Sequence, residues 1–341
     1  MVQCSDGKVF GGSCLKTQAK ASAPAKVILL GEHFVVHGAP AIVLAIDKRA
    51  TAQAQLRRDK QIFISSKAIS SSGYFSNGKF HVQEGGKQAK TKLEPIYKLA
   101  RNLLNLSKKD VGINLKIDSS IPVAAGLGSS AAVAVASAAS LNHLLDAGLT
   151  KDDIFTMAFE AEKIIHGNPS GVDPAISTYG GVILYRRGEK IRKLDVAVDL
   201  PLVIGDTKIE RSTGKMIAHV GDLVNRYPVV SDKIIQVGEA VVNRSIQALE
   251  HSDLETLGEM MNLNHALLCA IGVSNEHLDR LVYAARKAGA LGAKLTGAGG
   301  GGCMVALAYP ENLDAVAEAI NQSGGEAFIT EKTVEGVRVE S

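Results

Sequence analysis

The sequence predicts an α+β protein of two domains. Its 341 residues exceed what one hydrophobic core usually serves. Strand-like and helical stretches mingle without the regular βαβ repeat of a doubly wound sheet. Beyond residue 199 the text shifts to long amphipathic helices. The partition that follows is an N-terminal extension over 1–20, a first domain over 21–198 and a second over 199–341.

Residues 1–18 are polar and aperiodic, which predicts a flexible extension or an irregular edge. From Ala23 to Lys48 the apolar runs KVILL and AIVLAID predict strands, broken by the polar loop GEHFVVHGAP. Residues 51–82 continue as strands, with Asn77-Gly78 as a hairpin turn. LEPIYKLARNLLNL has the helical period, and VGINLKIDSSIP alternates Ile113, Leu115 and Ile117 toward one face. Thr150 and Asp153 form a capping box before a helix whose buried stripe is Ile154, Met157, Ala158, Ala161 and Ile165. NPSGVDP is dense in turn residues, and the strands VILYRR and LPLVIGD follow. Three amphipathic helices between Ser231 and Leu291, a strand–glycine loop–strand over AKLTGAGGGGCMVALA, a helix from Pro310 to Ser323 and the strand EAFITEK complete the chain.

Composition excludes several classes of function. Hydrophobic residues make up 46%, charged residues 21%, and the net charge is +3, so nothing in the charge balance calls for nucleic acid or an anionic membrane. Cys4, Cys14, Cys269 and Cys303 lack C-x-x-C or zinc-finger spacing and are too few for a disulfide scaffold. They read as reduced, cytoplasmic thiols. The N-terminus lacks the apolar core of a signal peptide, and every apolar run is broken well short of a membrane span.

Chemistry concentrates in IPVAAGLGSSAAVAVASAA, residues 121–139. Gly126, Gly128 and Ala131 fit the dinucleotide pattern G-x-G-x-x-A, and Asp146 stands where a ribose-binding acid would be expected. Against a dinucleotide, Ile121 to Ala125 intervene before the first glycine, the motif lies deep in the chain and no regular βαβαβ text surrounds it. Ser129 and Ser130 instead put two hydroxyls in the first helical turn, one to cap the helix and one to reach a magnesium ion bridging phosphates. That favours a nucleoside triphosphate, although Walker A is absent. The second glycine run, TGAGGGGC at 296–303, lies between strands, and four successive glycines predict a backbone that a ligand or another loop approaches closely.

PAKVILLGEHFVVHGAPA (24–41), PVAAGLGSSAA (122–132) and KLTGAGGGGC (294–303) resemble the three signature motifs of the GHMP kinases, in order and spacing. GEH at 31–33, HGNPSGVD at 166–173 and DTKIERST at 206–213 are similar to the members that act on mevalonate. The resemblance implies a ribosomal-protein-S5-like first domain and a ferredoxin-like second one. It implies ATP and mevalonate as partners and Mg²⁺ as cofactor and is compatible with a homodimer, while the charge balance and hydropathy lead us to expect neither nucleic acid nor membrane. ATP would lie on Pro122, Val123, Ala124, Ala125, Gly126, Leu127, Gly128, Ser129, Ser130, Ala131 and Ala132.

A lysine inside the apolar strand AKVILL is anomalous, because an unpaired ammonium is costly to bury. The resemblance pairs this Lys26 with Asp173, the lysine polarising the acceptor oxygen and the carboxylate taking or orienting its proton. It makes Ser130 and Glu162 the metal ligands and turns Glu32, His33 and Thr213 toward the acceptor. Ionised Glu32 can only accept, so it would meet a substrate hydroxyl or orient a neighbour. Phosphomevalonate kinase, galactokinase, a binding protein of the same fold and, remotely, an NAD-dependent oxidoreductase stay open as alternatives.

Overall fold

Alternation of small apolar with polar residues sets the first sheet of the computed structural model, which describes residues 16–340 apart from 77, 123, 124, 167–169 and 211. Two long strands, β1 (Gln18–Leu30) and β2 (Ala41–Arg57), form its antiparallel centre. A short 3₁₀ turn over Phe34–His37 joins them. β3 (Ile62–Ser66), β4 (Ser71–Ser76) and β5 (Lys79–Glu84) follow, then α1 (Ala89–Ser107) and β6 (Gly112–Ser119). In β6, Ile113, Leu115 and Ile117 are all buried, as their period requires. β4 and β5 pair from Ser76↔Lys79, and Asn77 of the expected turn lies outside the described residues.

α2 (Ser129–Leu145) lies on β1 and β2 and is followed by α3 (Lys151–His166) and α4 (Val172–Tyr179). Twelve of the 17 residues of α2 are buried, and most are Ala or Ser, so the helix approaches both the sheet and its neighbouring helices closely. The capping box of α3 is formed: Thr150 N–H and its hydroxyl donate to Asp153 Oδ2 at 2.9 and 2.7 Å, and Asp153 N–H donates back to Thr150 Oγ1 at 3.2 Å. Of its expected stripe, Ile154, Ala158 and Ala161 are buried and Met157 packs beside them.

β7 (Val182–Tyr185) pairs with β2 and with β8 (Arg192–Leu194). The second half contains β9 (Pro201–Asp206), α5 (Thr213–Arg226), α6 (Pro228–Glu250), α7 (Leu254–Ala270), α8 (Glu276–Lys287), β10 (Gly292–Leu295), β11 (Cys303–Leu307), α9 (Leu313–Gln322) and β12 (Glu326–Glu331). Its antiparallel sheet has the order β10-β11-β9-β12. A strand, helices, two strands, a helix and a strand in chain order, with the strands in that spatial order, make the expected ferredoxin-like arrangement.

The architecture differs from the sequence reading in three places. Helix α5 was not expected as a separate element. The chain also leaves its second sheet at the end: β13 (Arg338–Glu340) pairs with β1, completing a nine-stranded sheet of order β13-β1-β2-β6-β3-β4-β5 with β7 and β8 attached through β2. A second domain running unbroken from 199 to 341 is therefore corrected, because residues from Thr333 onward bond to the first half. The expected 1–20 extension is cut short as well, since β1 begins at Gln18; residues 1–15, with Cys4 and Cys14, lie outside the described residues.

Candidate active site

The site is assembled on one edge of β1. In a strand, alternate residues direct their N–H and C=O groups to the same side. Lys20 and Ser22 pair with β13 on one side of β1, and along that same side the next alternate residues, which pair with β2 on the other, meet no strand among the described residues. Pro24 O instead accepts the Ser177 hydroxyl of α4 at 2.9 Å, Lys26 N–H donates to Leu127 O of the first glycine loop at 2.9 Å, and Ile28 O accepts the Thr296 hydroxyl at 2.9 Å. Three segments far apart in sequence are thus fixed along five residues of one strand, Pro24 to Ile28.

Lys26 is buried at 6% exposure, and its ammonium lies 3.1 Å from Asp173 Oδ1. The Asp173 side chain keeps 29% exposure, so one carboxylate edge remains open to solvent. Its neighbourhood was expected as a loop, but Asp173 stands in the first turn of α4. Gly171 caps that helix at φ +80°, and Pro174 is tolerated there because first-turn N–H groups need no intrahelical partner. Ser177, one turn on, is the residue clamped to Pro24.

Gly128 explains why the glycine loop must be small. It caps α2 at φ +73°, and a Cβ there would stand 2.7 Å from Lys26 Cγ and 3.7 Å from Asp173 Oδ2. The expectation that a serine caps this helix is corrected: the cap is Gly128 and makes no side-chain bond. Ser129 and Ser130 are the first two residues of α2, with Ser130 exposed. Pro122, Ala125, Gly126, Leu127, Ala131 and Ala132 surround this helix start; Val123 and Ala124 lie outside the described residues.

Glu162 on α3 is drawn into the same group. Burial pushes its carboxyl up to about 8, with Asp173 adding a like charge and Lys26 opposing both. Its Oε2 is buried without a hydrogen-bond partner. The Phe159 ring of α3 lies against the start of α4, 3.2 Å from where a Cβ of Gly171 would be.

Loop 31–33 is separately anchored. Glu32 is 1% exposed, ion-paired with the fully buried Lys294, and accepts from Asn264 Nδ2 at 3.2 Å. Both oxygens of the Glu32 carboxylate thus engage protein partners. His33 has φ 60° and donates from Nε2 to Ala298 O of the second glycine run at 2.8 Å. That run admits other loops, as expected: Cβ atoms on Gly299 and Gly301 would stand 2.0 Å from Val273 O and 2.7 Å from Ile209 O. Thr213 is the exposed first residue of α5, capped by Ser212, which accepts from Lys215 N–H at 3.4 Å.

Lys294 and Asn264 were missed in the sequence. The signal was present for Lys294, since a lysine in AKLTG is as anomalous as one in AKVILL. Among the described residues, His265, Cys269 and Asp279 form one further group of metal-type ligands. Leu295 N–H donates to His265 Nδ1 at 3.3 Å, which leaves the ring proton on Nε2, facing Asp279 and Cys269. Burial lowers this histidine to about 4, so at neutral pH the group is a hydrogen-bonded cluster around a neutral ring.

A glycine-capped helix start beside a buried Lys–Asp pair defines a phosphotransferase of the GHMP type. Residues 94–181 match the GHMP kinases N terminal domain, and residues 245–326 match the GHMP kinases C terminal family. The mevalonate kinase of Pyrococcus furiosus is 43% identical over 334 residues, covering 94% of this chain and 98% of its own. That of Aeropyrum pernix is 37% identical, covering 96% and 99%. The crystal structure of L. major mevalonate kinase in complex with R-mevalonate superposes with a TM-score of 0.82 at 30% identity, covering 94% and 98%. The chain belongs to the mevalonate kinase family of the GHMP kinases. No helix among the described residues is long and apolar enough to cross a membrane.

Proposed function

We propose that the chain transfers the γ-phosphoryl group of ATP to the primary hydroxyl of mevalonate. The observation that carries this reading is the Lys26–Asp173 pair, 3.1 Å apart and packed against the glycine cap of α2. ATP phosphates lie over residues 122–132, where the N–H groups and dipole of α2 attract anions. Lys26 engages Asp173 Oδ1, so Oδ2, which faces Gly128, is the oxygen left to accept the hydrogen bond of the acceptor hydroxyl. Lys26 adds positive charge beside the oxygen that attacks the phosphorus. As the new P–O bond forms and the bond to ADP breaks, the hydroxyl proton leaves toward Asp173 Oδ2. Thr213 contributes a hydroxyl donor for the acceptor carboxylate, and His33, whose Nε2–H is given to Ala298 O, donates to it from Nδ1 as the imidazolium.

The side chains fit a magnesium ion. Glu162 offers a buried oxygen without a partner, Ser130 offers a hydroxyl at the helix start, and hard oxygen donors suit this cation. Bound there, Mg²⁺ supplies charge neutralisation on the phosphate oxygens.

The test is ADP release with mevalonate, phosphomevalonate, galactose and homoserine as acceptors. Turnover is expected on mevalonate, and Asp173→Asn should lower kcat about a thousandfold while ATP affinity changes only a few-fold. Turnover confined to another acceptor, or an active Asp173→Asn enzyme, overturns the reading.

A further inference from the structure

Glu32 and Lys294 are 262 residues apart and almost wholly removed from water. A buried ion pair needs its remaining donors and acceptors satisfied. Here both members are further bonded: Lys294 Nζ also donates to Leu295 O at 2.6 Å, and Asn264 Nδ2 donates to the second Glu32 oxygen at 3.2 Å. Asn264 also reaches back, its Oδ1 accepting from Gly31 N–H at 3.4 Å. Both partners belong to the second half, Asn264 on α7 and Lys294 on β10, whereas Glu32 follows β1.

This network closes on a sharply bent loop. Gly31 takes φ +94°, with Pro40 O only 2.4 Å from where a Cβ would be. His33 takes φ 60° without being glycine, a conformation that persists only where its surroundings over-determine it. One restraint is its bond to Ala298, and another is the next residue, Phe34, which is buried among Val203, Leu268 and Leu295 of the second half.

We propose that Lys294 and Asn264 are positioning residues for the acceptor: acting through Glu32, they fix loop 31–33 and so set the direction in which His33 meets the acceptor carboxylate. Affinity for the acceptor is thereby governed from the second half of the chain, while the nucleotide is held by the first. The inference rests on the reading of His33 as an acceptor ligand.

The experiment uses the full chain and compares parent, Asn264→Ala, Lys294→Met and the double variant Glu32→Gln/Lys294→Met. Steady-state KM for mevalonate and for ATP, calorimetric Kd for mevalonate and thermal midpoints are measured. Asn264→Ala should raise the mevalonate KM and Kd about tenfold while ATP KM stays within about twofold. Lys294→Met leaves a buried carboxylate without its cation and should lose thermal stability. The double variant should regain that stability and keep the raised mevalonate KM, because the uncompensated charge is gone but the tether is not restored. Parent-like mevalonate KM and Kd in Asn264→Ala and in the double variant overturn the proposal. So does a rise in ATP KM matching that for mevalonate. If the parent ignores mevalonate and uses another acceptor, the functional reading fails separately, and the same ratio read on that acceptor still decides the tether.

Discussion

Glu162 rises to about 8 because burial removes water from its charged form, Asp173 adds a like charge and Lys26 offsets only part of both. The folded value exceeds the ordinary 4.5, so the folded chain binds the proton more tightly than the unfolded one. The stability this brings is complete at low pH and is lost as pH rises toward 8. A cation at Glu162 competes with that proton. Thermal stabilisation by Mg²⁺ with a non-hydrolysable ATP analogue should therefore be larger above about pH 8 than at about pH 6, and Glu162→Gln should shrink the difference. Equal stabilisation at both pH values in the parent removes Glu162 from the metal site. Side chains of this kind were unevenly legible. Lys26 declared itself by being a cation in an apolar strand, and Lys294 carried the same mark. That Glu32 is the partner of Lys294 depends on packing between loops and strands hundreds of residues apart, which periodicity does not encode.

The start of α2 depends on the absence of one atom. Gly128 must hold φ +73° and leave room for the Lys26 stem, whose Cγ would stand 2.7 Å from a Cβ. Gly128→Ala adds left-handed strain of roughly 1 kcal/mol and forces that stem to move, because Cγ is too near the backbone to swing away freely. The expected result is a kcat at least about tenfold lower, with Lys26 displaced from Asp173, and a helix α2 that still forms. Unchanged kcat would mean that the lysine–aspartate geometry tolerates the shift. The glycine stretch was readable as an anion site because its glycines, serines and helix start are local features. The short helix α4 was not, since Gly171 and Pro174 serve a helix start as well as a turn. In α5 only Val220 is buried, although Met216, Ile217, Val220, Leu223 and Val224 recur at helical spacing and could have announced the helix.

Across the molecule, β1 is shared between stability and chemistry. One stretch of its edge is covered by β13, and the next holds α4 and both glycine loops. The returning tail is fastened by Arg49, which donates to Glu335 O at 3.4 Å, to Gly336 O at 2.7 Å and to Ser22 O at 3.1 Å. Val337 is buried, and its N–H donates to Thr178 O of α4 at 3.1 Å, so the tail also braces the helix that carries Asp173. Removing residues 333–341 deletes no residue assigned to the site, yet it exposes the strand edge at Lys20–Ser22 and leaves Arg49 without two acceptors. Loss of one buried valine and several hydrogen bonds amounts to about 3–5 kcal/mol, which in a chain of this size lowers the thermal midpoint by roughly 6–15 °C. The truncated chain should also aggregate more readily through the uncovered edge. Below its midpoint it should retain ATP affinity within a few-fold and lose kcat, because Asp173 is braced by the tail while the glycine loop is not. A truncated enzyme with parent-like midpoint and kcat would show that α4 is held by Ser177 and its helix packing alone.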